Sequence, residues 1–204
     1  DHMKREARLI LDDGTVFCGW SFGAEVNTVG EVVFNTAMMG YPESLTDPSY
    51  AGQILVTTFP LIGNYGVPST DIGADGLPLF MESDRIHPKG LIVADYSEEY
   101  SHWNAKESLS SWLKREGIPA ISGIDTRRLT KLLREHGVMR GRISIEHSTL
   151  NIEHCQEDYG SINWVEKVSC KEVITYNALP IKGERGEGPR VVLIDCGVKA
   201  NIIR

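Results

Sequence analysis

Cysteine is the residue type in this sequence best suited to nucleophilic chemistry, and Cys196 has the most suggestive position. It ends an apolar run at 190–195 that is typical of a buried strand, and a helix is predicted to follow. A thiol between a strand and a helix N-terminus would have a lowered pKa and could act as a nucleophile. Because no histidine lies nearby in the sequence to serve as its base, a buried and inert thiol is the preferred interpretation.

Other motifs that carry chemistry are absent from the sequence. It contains no glycine-rich dinucleotide or phosphate loop, no HExxH zinc motif and no GxSxG nucleophile turn. The six histidines are far apart, which predicts no metal site. The paired acids occur in turns or polar stretches, where solvated carboxylates are far commoner than catalytic ones. From the residues alone, we therefore assign neither a catalytic residue nor a metal ligand.

The composition indicates a folded protein that binds neither nucleic acid nor membrane. Of its 204 residues, 41% are hydrophobic and 24% are charged, which is enough apolar material for a substantial core. The net charge of −7 argues against a surface that attracts a polyanion. No apolar run approaches the roughly 20 residues that cross a bilayer. Because the four cysteines are scattered without a CxxC pair, we expect a reducing, cytoplasmic environment.

Strand patterns dominate the amino-terminal part of the chain. Residues 1–3, Asp-His-Met, have the sequence of a cloning scar and are set aside. Alternating apolar and polar residues on both sides of an Asp-Asp-Gly turn predict a β-hairpin at 7–23. Strands are predicted at 30–36 and 53–60, joined by a loop or a single helical turn. A long surface excursion, rich in glycine and proline, follows at 61–87.

Strand and helix patterns alternate in the next part. Strands are predicted at 90–96, 117–124 and 139–145. One helix is predicted from Asn104, as its cap, to 114, and a second from the capping Asp125 to Gly137. A final strand is predicted at 164–176. This order predicts an α/β fold, a layered mixed sheet with an amino-terminal β-hairpin and covering helices.

A domain boundary is predicted near the carboxyl end. The sequence GERGEGP at 183–189 has the composition of a linker, which assigns 4–182 to the first domain. The segment 190–204 combines an apolar run that ends in glycine with the start of a helix. This is how a new doubly wound domain begins.

Several sequence blocks occur in an order that matches one known family. They are LDDGTVFCGWSFG, GEVVFNT, GYPESLTDPSY, PLIGNYG, SHWNAKESLSSWL, GIDTRRLTKLLREHG and VVLIDCGVKANIIR. In sequence, spacing and order they resemble the small, amidotransferase part of glutamine-dependent carbamoyl phosphate synthetases, specifically its amino-terminal domain. The resemblance spans nearly the whole chain and is weakest between residues 146 and 187.

The resemblance implies a layered α/β domain that docks on a synthetase. A class I glutamine amidotransferase domain follows it in that family, and 190–204 would be its first βα unit. There a cysteine thiolate attacks glutamine, and the released ammonia passes internally to the synthetase, which uses ATP, magnesium and bicarbonate. The implied partners are the synthetase large subunit or domains, the amidotransferase domain and glutamine, whereas no cofactor is expected in this chain.

The resemblance implies a site role for Ser49. The family's TDPSY loop contributes a serine hydroxyl to bound glutamine, and Ser49 occupies that position here. From the residues alone, Ser49 would be only a hydroxyl in a helical turn after Asp47 and Pro48. The sequence ends before the family's Gly-Cys-Leu-Gly elbow and His-Pro-Glu signature. We therefore expect the isolated 204-residue chain to be catalytically inactive.

Two other interpretations remain open. The domain could be a docking module that only holds the amidotransferase against the synthetase, with Ser49 incidental. Alternatively, 190–204 could open a nucleotide-binding fold, although its glycine-rich phosphate loop is missing. The insertion DGLPLFMESDRIH resembles the longer loop of fused eukaryotic forms, which favours a multidomain parent and pyrimidine over arginine synthesis.

Overall fold

The computed structural model describes residues 5–37, 40–146, 161–176 and 191–204. The predicted cloning scar at 1–3 and the predicted linker at 183–189 lie outside these residues. The described part forms a mixed α/β fold around one strand-rich sheet, which confirms the predicted fold class in its main features.

The elements have the following bounds. The strands are β1 Glu6–Leu11, β2 Val16–Ser21, β3 Thr28–Asn35, β4 Gln53–Thr57, β5 Leu61–Ile62, β6 Val67–Pro68, β7 Gly90–Ile92, β8 Asp95–Tyr96, β9 Ala105–Glu107, β10 Ala120–Ser122 and β11 Met139–Ile145. The helices are α1 Tyr41–Leu45, α2 Leu109–Arg115, α3 Thr126–His136, α4 Trp164–Val168 and α5 Ala200–Ile203, with a 3₁₀ turn at Pro48–Tyr50.

The main sheet closes on itself into a barrel, in the order β1, β11, β3, β4, β7, β10, β2. Strands β3, β4, β7 and β10 pair in parallel, whereas β2, β1 and β11 form the antiparallel part. The predicted hairpin is confirmed as β1 and β2. Because β2 pairs with β10 and β1 pairs with β11, the hairpin covers both edges and converts the expected open layer into a ring.

Only one of the two predicted strand-helix-strand repeats is a parallel unit. Strands β7 and β10 pair in parallel on either side of α2 in the sequence, as predicted. After α3, however, β11 pairs antiparallel with β1 and β3 instead of with β10. Strand β10 already has β7 on one side and β2 on the other. The chain after α3 must therefore cross the ring to reach the position between β1 and β3.

The predicted helix boundaries are right for α3 and wrong for α2. Helix α3 follows Asp125, whose side chain accepts a hydrogen bond from Arg128 N, and it ends at Gly137 with φ 76°. Helix α2 begins after Ser108, not Asn104, and Ser108 accepts a hydrogen bond from Ser111 N. The residues before Ser108 form β9, which pairs with β6. The pairing of β9 with β6 therefore prevents a helix from beginning at Asn104, although Asn104 is an acceptable cap.

The last two described segments also differ from the sequence expectations. The strand predicted at 164–176 is wrong, since α4 forms there after Asn163, whose side chain accepts a hydrogen bond from Glu166 N. A short helix can be stabilised by its own capping side chain, whereas a strand needs a neighbouring strand with which to pair. The strand predicted to open a second domain does not form either, because 191–195 pairs with no strand of the described chain. The short α5 follows it.

Two hydrophobic clusters lie on the two faces of the closed sheet. In β4, Ile54 and Val56 belong to one cluster and Leu55 to the other, as strand alternation requires. Helix α3 contributes Leu129 and Leu133 to the first cluster. Helices α1 and α2 contribute to the second, in which Trp112 is 2% exposed. The ring is therefore packed on both faces, and its helices cover it as predicted.

One buried hydroxyl, Thr57 Oγ1, lacks a hydrogen-bond partner in the described part of the chain. Thr57 ends β4 and lines a cavity of about 20 Å³ beside Asn35 and Ser44. The substitution Thr57→Val keeps the side-chain shape and removes the unpaired hydroxyl, so it should stabilise the fold by about 1 kcal/mol. Urea unfolding measures this change. Thr57→Ser is the matched control, which retains the hydroxyl, and a destabilised valine variant would contradict the expectation.

Candidate functional site

The turn that carries Ser49 is fixed by its own sequence. Asp47 precedes the 3₁₀ turn, and its side chain accepts a hydrogen bond from Ser49 N at 2.9 Å. Pro48 occupies the first position of the turn, where its restricted φ is already suitable. The Ser49 side chain is exposed, and its hydroxyl donates no hydrogen bond within the described residues. A small hydroxyl is therefore held on a stiff backbone and left available to another group.

The base of this turn is buried. Thr46 is fully buried, and its hydroxyl donates to Pro42 O at 2.7 Å while it accepts from Glu82 N at 2.9 Å. The Ser83 hydroxyl donates to Thr46 O at 2.6 Å. These contacts join the end of α1 to the long excursion at 61–87. The residue that leads into the Ser49 turn is consequently held by hydrogen bonds on both sides.

A lysine from the carboxyl-terminal segment contacts the same turn. Lys199 Nζ lies 2.7 Å from Asp47 Oδ2, and Asp47 is 8% exposed. The hydrogen bond to the Asp47 carboxylate raises the pKa of the Lys199 ammonium above its ordinary value. Asp47 thus uses one carboxylate oxygen for the Ser49 backbone and the other for Lys199. The position of Ser49 is thereby linked to residues about 150 positions later in the sequence.

The excursion at 61–87 anchors the helix that follows Lys199. Glu82 accepts three hydrogen bonds at the start of α5, from Ala200 N at 3.0 Å, Asn201 N at 3.1 Å and Asn201 Nδ2 at 2.6 Å. Arg204 donates to Pro78 O at 2.7 Å and lies 3.3 Å from Asp75 Oδ2. The segment 195–204 is therefore bound to the excursion at 61–87 by backbone and charged contacts together.

Asp195 organises the turn before Lys199. Its Oδ1 accepts from Gly197 N and Val198 N, each at 2.7 Å, and its Oδ2 accepts from Cys170 N at 2.7 Å. Partial burial opposes ionisation of this carboxyl, but the backbone N–H groups hold its pKa below the ordinary value. A carboxylate in this position joins the chain after α4 to the chain before α5.

Two glycines let other segments approach the Ser49 turn closely. Gly52 has φ 75°, and a Cβ on it would lie 1.9 Å from the Trp164 ring of α4. Gly197 has φ 103°, and a Cβ there would lie 2.7 Å from Val168 and 3.4 Å from Pro48. Helix α4 and the segment around Gly197 therefore border the turn on which Ser49 is exposed.

The Ser49 turn lies beside the carboxyl-terminal segment of the described chain. The neighbours of Ser49, Asp47 and Pro48, contact Lys199 and Gly197, so the turn faces the carboxyl-terminal segment. The role of Ser49 in binding glutamine remains a prediction from the resemblance. Of the residues around it, sequence reasoning missed Asp47, Lys199 and Glu82. The Asp-Pro-Ser pattern of an N-cap could have identified Asp47, whereas no local signal links Glu82 to α5.

The expectation of a buried Cys196 is wrong, because this thiol is exposed. The predicted strand that would have buried it does not form in the described residues. No hydrogen-bonding or charged group of the described residues contacts its sulfur. Cys196 has therefore no general base in this part of the chain.

Large apolar side chains are exposed near the carboxyl end. The exposed fraction is 85% for Val191, 90% for Val192, 86% for Ile194 and 97% for Val173. Such exposure is unfavourable in free energy unless another surface covers these side chains.

In the described ranges, no set of three histidine, cysteine or acidic residues is placed to hold a metal ion. The helices of these ranges are all too short or too polar to cross a membrane.

Comparison with known proteins gives a consistent family. The profile of the carbamoyl-phosphate synthase small chain, CPSase domain, matches residues 9–143. The arginine-specific small chain of carbamoyl phosphate synthase from Chaetomium globosum is 50% identical over 98% of this chain and 42% of its own length. Its counterpart from Candida albicans is 48% identical over 97% of this chain and 46% of its own length.

A much longer relative matches equally well along this chain. The multifunctional protein pyr1-3 of Dictyostelium discoideum is 46% identical over 98% of this chain but only 9% of its own length. The present chain thus spans less than half of these relatives. Among solved structures, an Aneurinibacillus aminopeptidase matches with 11% identity and a TM-score of 0.35, over 70% of this chain and 30% of its own, which is too low to indicate a shared fold. The profile match and the identities show that the chain belongs to the CPSase-domain family of carbamoyl-phosphate synthase small chains.

Proposed function

We propose that this chain is the amino-terminal domain of the amidotransferase part of a cytoplasmic, glutamine-dependent carbamoyl phosphate synthetase. In this role Ser49 donates a hydrogen bond to glutamine bound by the following amidotransferase domain. That domain would hydrolyse glutamine, and the ammonia would pass internally to a synthetase that uses ATP, magnesium and bicarbonate. Internal passage has a physical reason, because free ammonia at neutral pH would be protonated and lost as a nucleophile.

The observation that carries this proposal is the exposed Ser49 hydroxyl on a doubly fixed turn. Asp47 holds the Ser49 backbone with one oxygen and Lys199 with the other. A small hydroxyl on a fixed backbone suits a zwitterionic ligand, since the backbone of the turn need not rearrange on binding. Because Lys199 belongs to the segment that leads onward from the first domain, the same contact would orient Ser49 relative to that next domain.

The first experiment measures ammonia release from glutamine by the 204-residue chain alone. We expect no release above a buffer blank, because this part of the chain provides no positioned thiolate with a general base. A small chain that also carries the amidotransferase domain should release ammonia under the same conditions.

Cys196 supplies the control for this experiment, since its thiol is exposed and reachable by substrate. If the isolated chain releases ammonia and Cys196→Ser abolishes that release, Cys196 is a nucleophile and the proposed division of labour is wrong.

A docking module is the second candidate function. It is favoured by the exposed apolar side chains at 191–194 and at Val173, which need a covering surface. The two functions are compatible in one domain, and a glutamine titration of Ser49 variants separates them. If the domain only docks, glutamine use will not depend on the Ser49 hydroxyl.

The parent protein and its pathway remain a prediction. The resemblance of DGLPLFMESDRIH to fused forms favours a multidomain parent acting in pyrimidine synthesis. Relatives named as arginine-specific small chains and as a multifunctional protein match this chain at 46–50% identity. The sequence that follows Arg204 in the parent gene distinguishes the two, because a fused form would continue into a synthetase.

A further inference from the structure

A second candidate site lies at the opposite end of β4 from the Ser49 turn. Here α3 contacts β3 and β4 beside the carboxyl ends of these two parallel strands. An open cleft of about 420 Å³ is lined by α3 on one side and by Thr36 and Thr58, which follow the strands, on the other. Helix α3 contributes three cations, one carboxylate and one hydroxyl, namely Arg127, Lys131, Arg134, Glu135 and Thr130. In sheets with parallel strands, ligands commonly bind outside the carboxyl ends.

The cations of the cleft share one face of the helix. Arg127, Lys131 and Arg134 are spaced by four and then three residues, which aligns them along α3. They extend over two turns, or about 10 Å along the helix axis. The cleft thus carries three positive charges against the one negative charge of Glu135, on a protein whose net charge is −7.

These charges are only partly compensated in the described structure. Lys131 Nζ lies 4.0 Å from Glu135 Oε1, a distant pair on the helix surface. Arg134 lies over the Phe34 ring at 5.2 Å, which holds its guanidinium in place without neutralising it. No carboxylate of the described residues pairs with Arg127. Two guanidinium groups therefore retain their hydrogen-bonding edges for another anion.

We propose that this cleft binds a small anion that carries one or more phosphate groups. Guanidinium groups match the geometry of phosphate oxygens with paired N–H donors. The Thr36 hydroxyl adds a further donor, whereas the Thr58 hydroxyl already donates to Asn35 O at 3.2 Å. A cationic helix face is ordinarily only solvated. This one differs because it forms one wall of a concave site whose other wall carries Thr36 and Thr58 from adjacent strand ends. The proposal does not depend on Ser49 or on glutamine.

The test titrates the 204-residue chain with pyrophosphate at constant ionic strength. We expect saturable binding below about 10 mM, because a few charge-assisted hydrogen bonds suffice for a ligand of this size. The amide NMR signals of Thr36 and Thr58 should shift along the same binding curve. Inorganic phosphate should shift them too, with a lower affinity.

Neighbouring arginines give a matched pair of variants. The double variant Arg127→Gln and Arg134→Gln should weaken pyrophosphate binding by about tenfold or more. Arg128→Gln removes the same charge from the adjacent position, but Arg128 stacks on Phe17 outside the cleft. It should change the affinity by less than about twofold, in line with an exposed charge in screened solvent.

Three results would overturn the proposal. The first is an absence of pyrophosphate binding at the concentrations named. The second is a loss of affinity in Arg128→Gln as large as in the cleft variants, which would indicate general charge attraction. A hexaglutamate peptide that binds more tightly than pyrophosphate would make the cleft a contact for an acidic protein segment instead. Because all these side chains are exposed, the NMR spectrum of each variant verifies that its fold is retained.

Discussion

Replacing Ser49 by alanine is expected to weaken glutamine-dependent carbamoyl phosphate synthesis by about 10- to 150-fold in a complete small chain assembled with its synthetase. This range is the effect of losing a hydrogen bond to a charged group, typically about 1.5–3 kcal/mol. Synthesis from added ammonia should be nearly unchanged, because ammonia bypasses the glutamine site. Steady-state kinetics with each nitrogen source measure both activities on the same preparation.

The controls for Ser49→Ala separate a binding role from a structural one. Ser49→Thr retains the hydroxyl and should recover part of the glutamine activity, whereas Ser101→Ala removes an exposed hydroxyl elsewhere and should have no effect. Equal loss of both activities would mean that Ser49 supports the fold or the domain interface. Loss of neither would show that the family role does not extend to this position.

The substitution Gly19→Ala is expected to destabilise the fold by about 3 kcal/mol or more. Gly19 lies in β2 where it passes β10, and an added Cβ would lie 2.2 Å from Ser122 O and 2.8 Å from Ile121 Cγ2. A backbone oxygen of a paired strand cannot move away without opening the β2 and β10 contact that closes the ring. Urea unfolding, or failure to accumulate soluble protein, measures the loss.

Gly14 is the matched control for Gly19. It also lies in the hairpin, with φ 85°, but nothing lies within 4 Å of an added Cβ. Gly14→Ala should therefore cost only its backbone strain, about 1 kcal/mol. If the two alanine variants lose the same stability, close packing of β2 on β10 is not what fixes glycine at position 19.

The local parts of the fold were predictable because their signals are local. Helix α3 has a capping Asp125, a regular apolar stripe and a terminal Gly137, and the structure reproduces all three. The start of α2 was not predictable in this way. Asn104 and Ser108 are both acceptable caps, and the choice depends on β6 binding the residues between them. Ring closure also depends on contacts between distant strands, which strand periodicity does not encode.

The candidate site likewise has features that the sequence predicts and features that depend on the tertiary fold. The resemblance points to Ser49, and the Asp-Pro-Ser sequence accounts for the stiffness of its turn. The contacts of Asp47 with Lys199, and of Glu82 with Asn201, join residues more than 100 positions apart. Contacts at such distances arise from the tertiary fold and have no signal within either segment. The exposure of Cys196 was missed for a related reason, since it depends on whether a neighbouring strand exists.

The closure of the ring also determines the order in which the chain can fold. In the antiparallel pair of β1 and β11, Ala7 lies opposite Ile145, so the first strand of this sheet in sequence must await the last one. Contacts between such distant residues carry a large loop-closure entropy and form slowly. During synthesis the β1 edge of the hairpin will therefore stay unpaired until β11 emerges, and this interval is when the nascent chain is most exposed to aggregation.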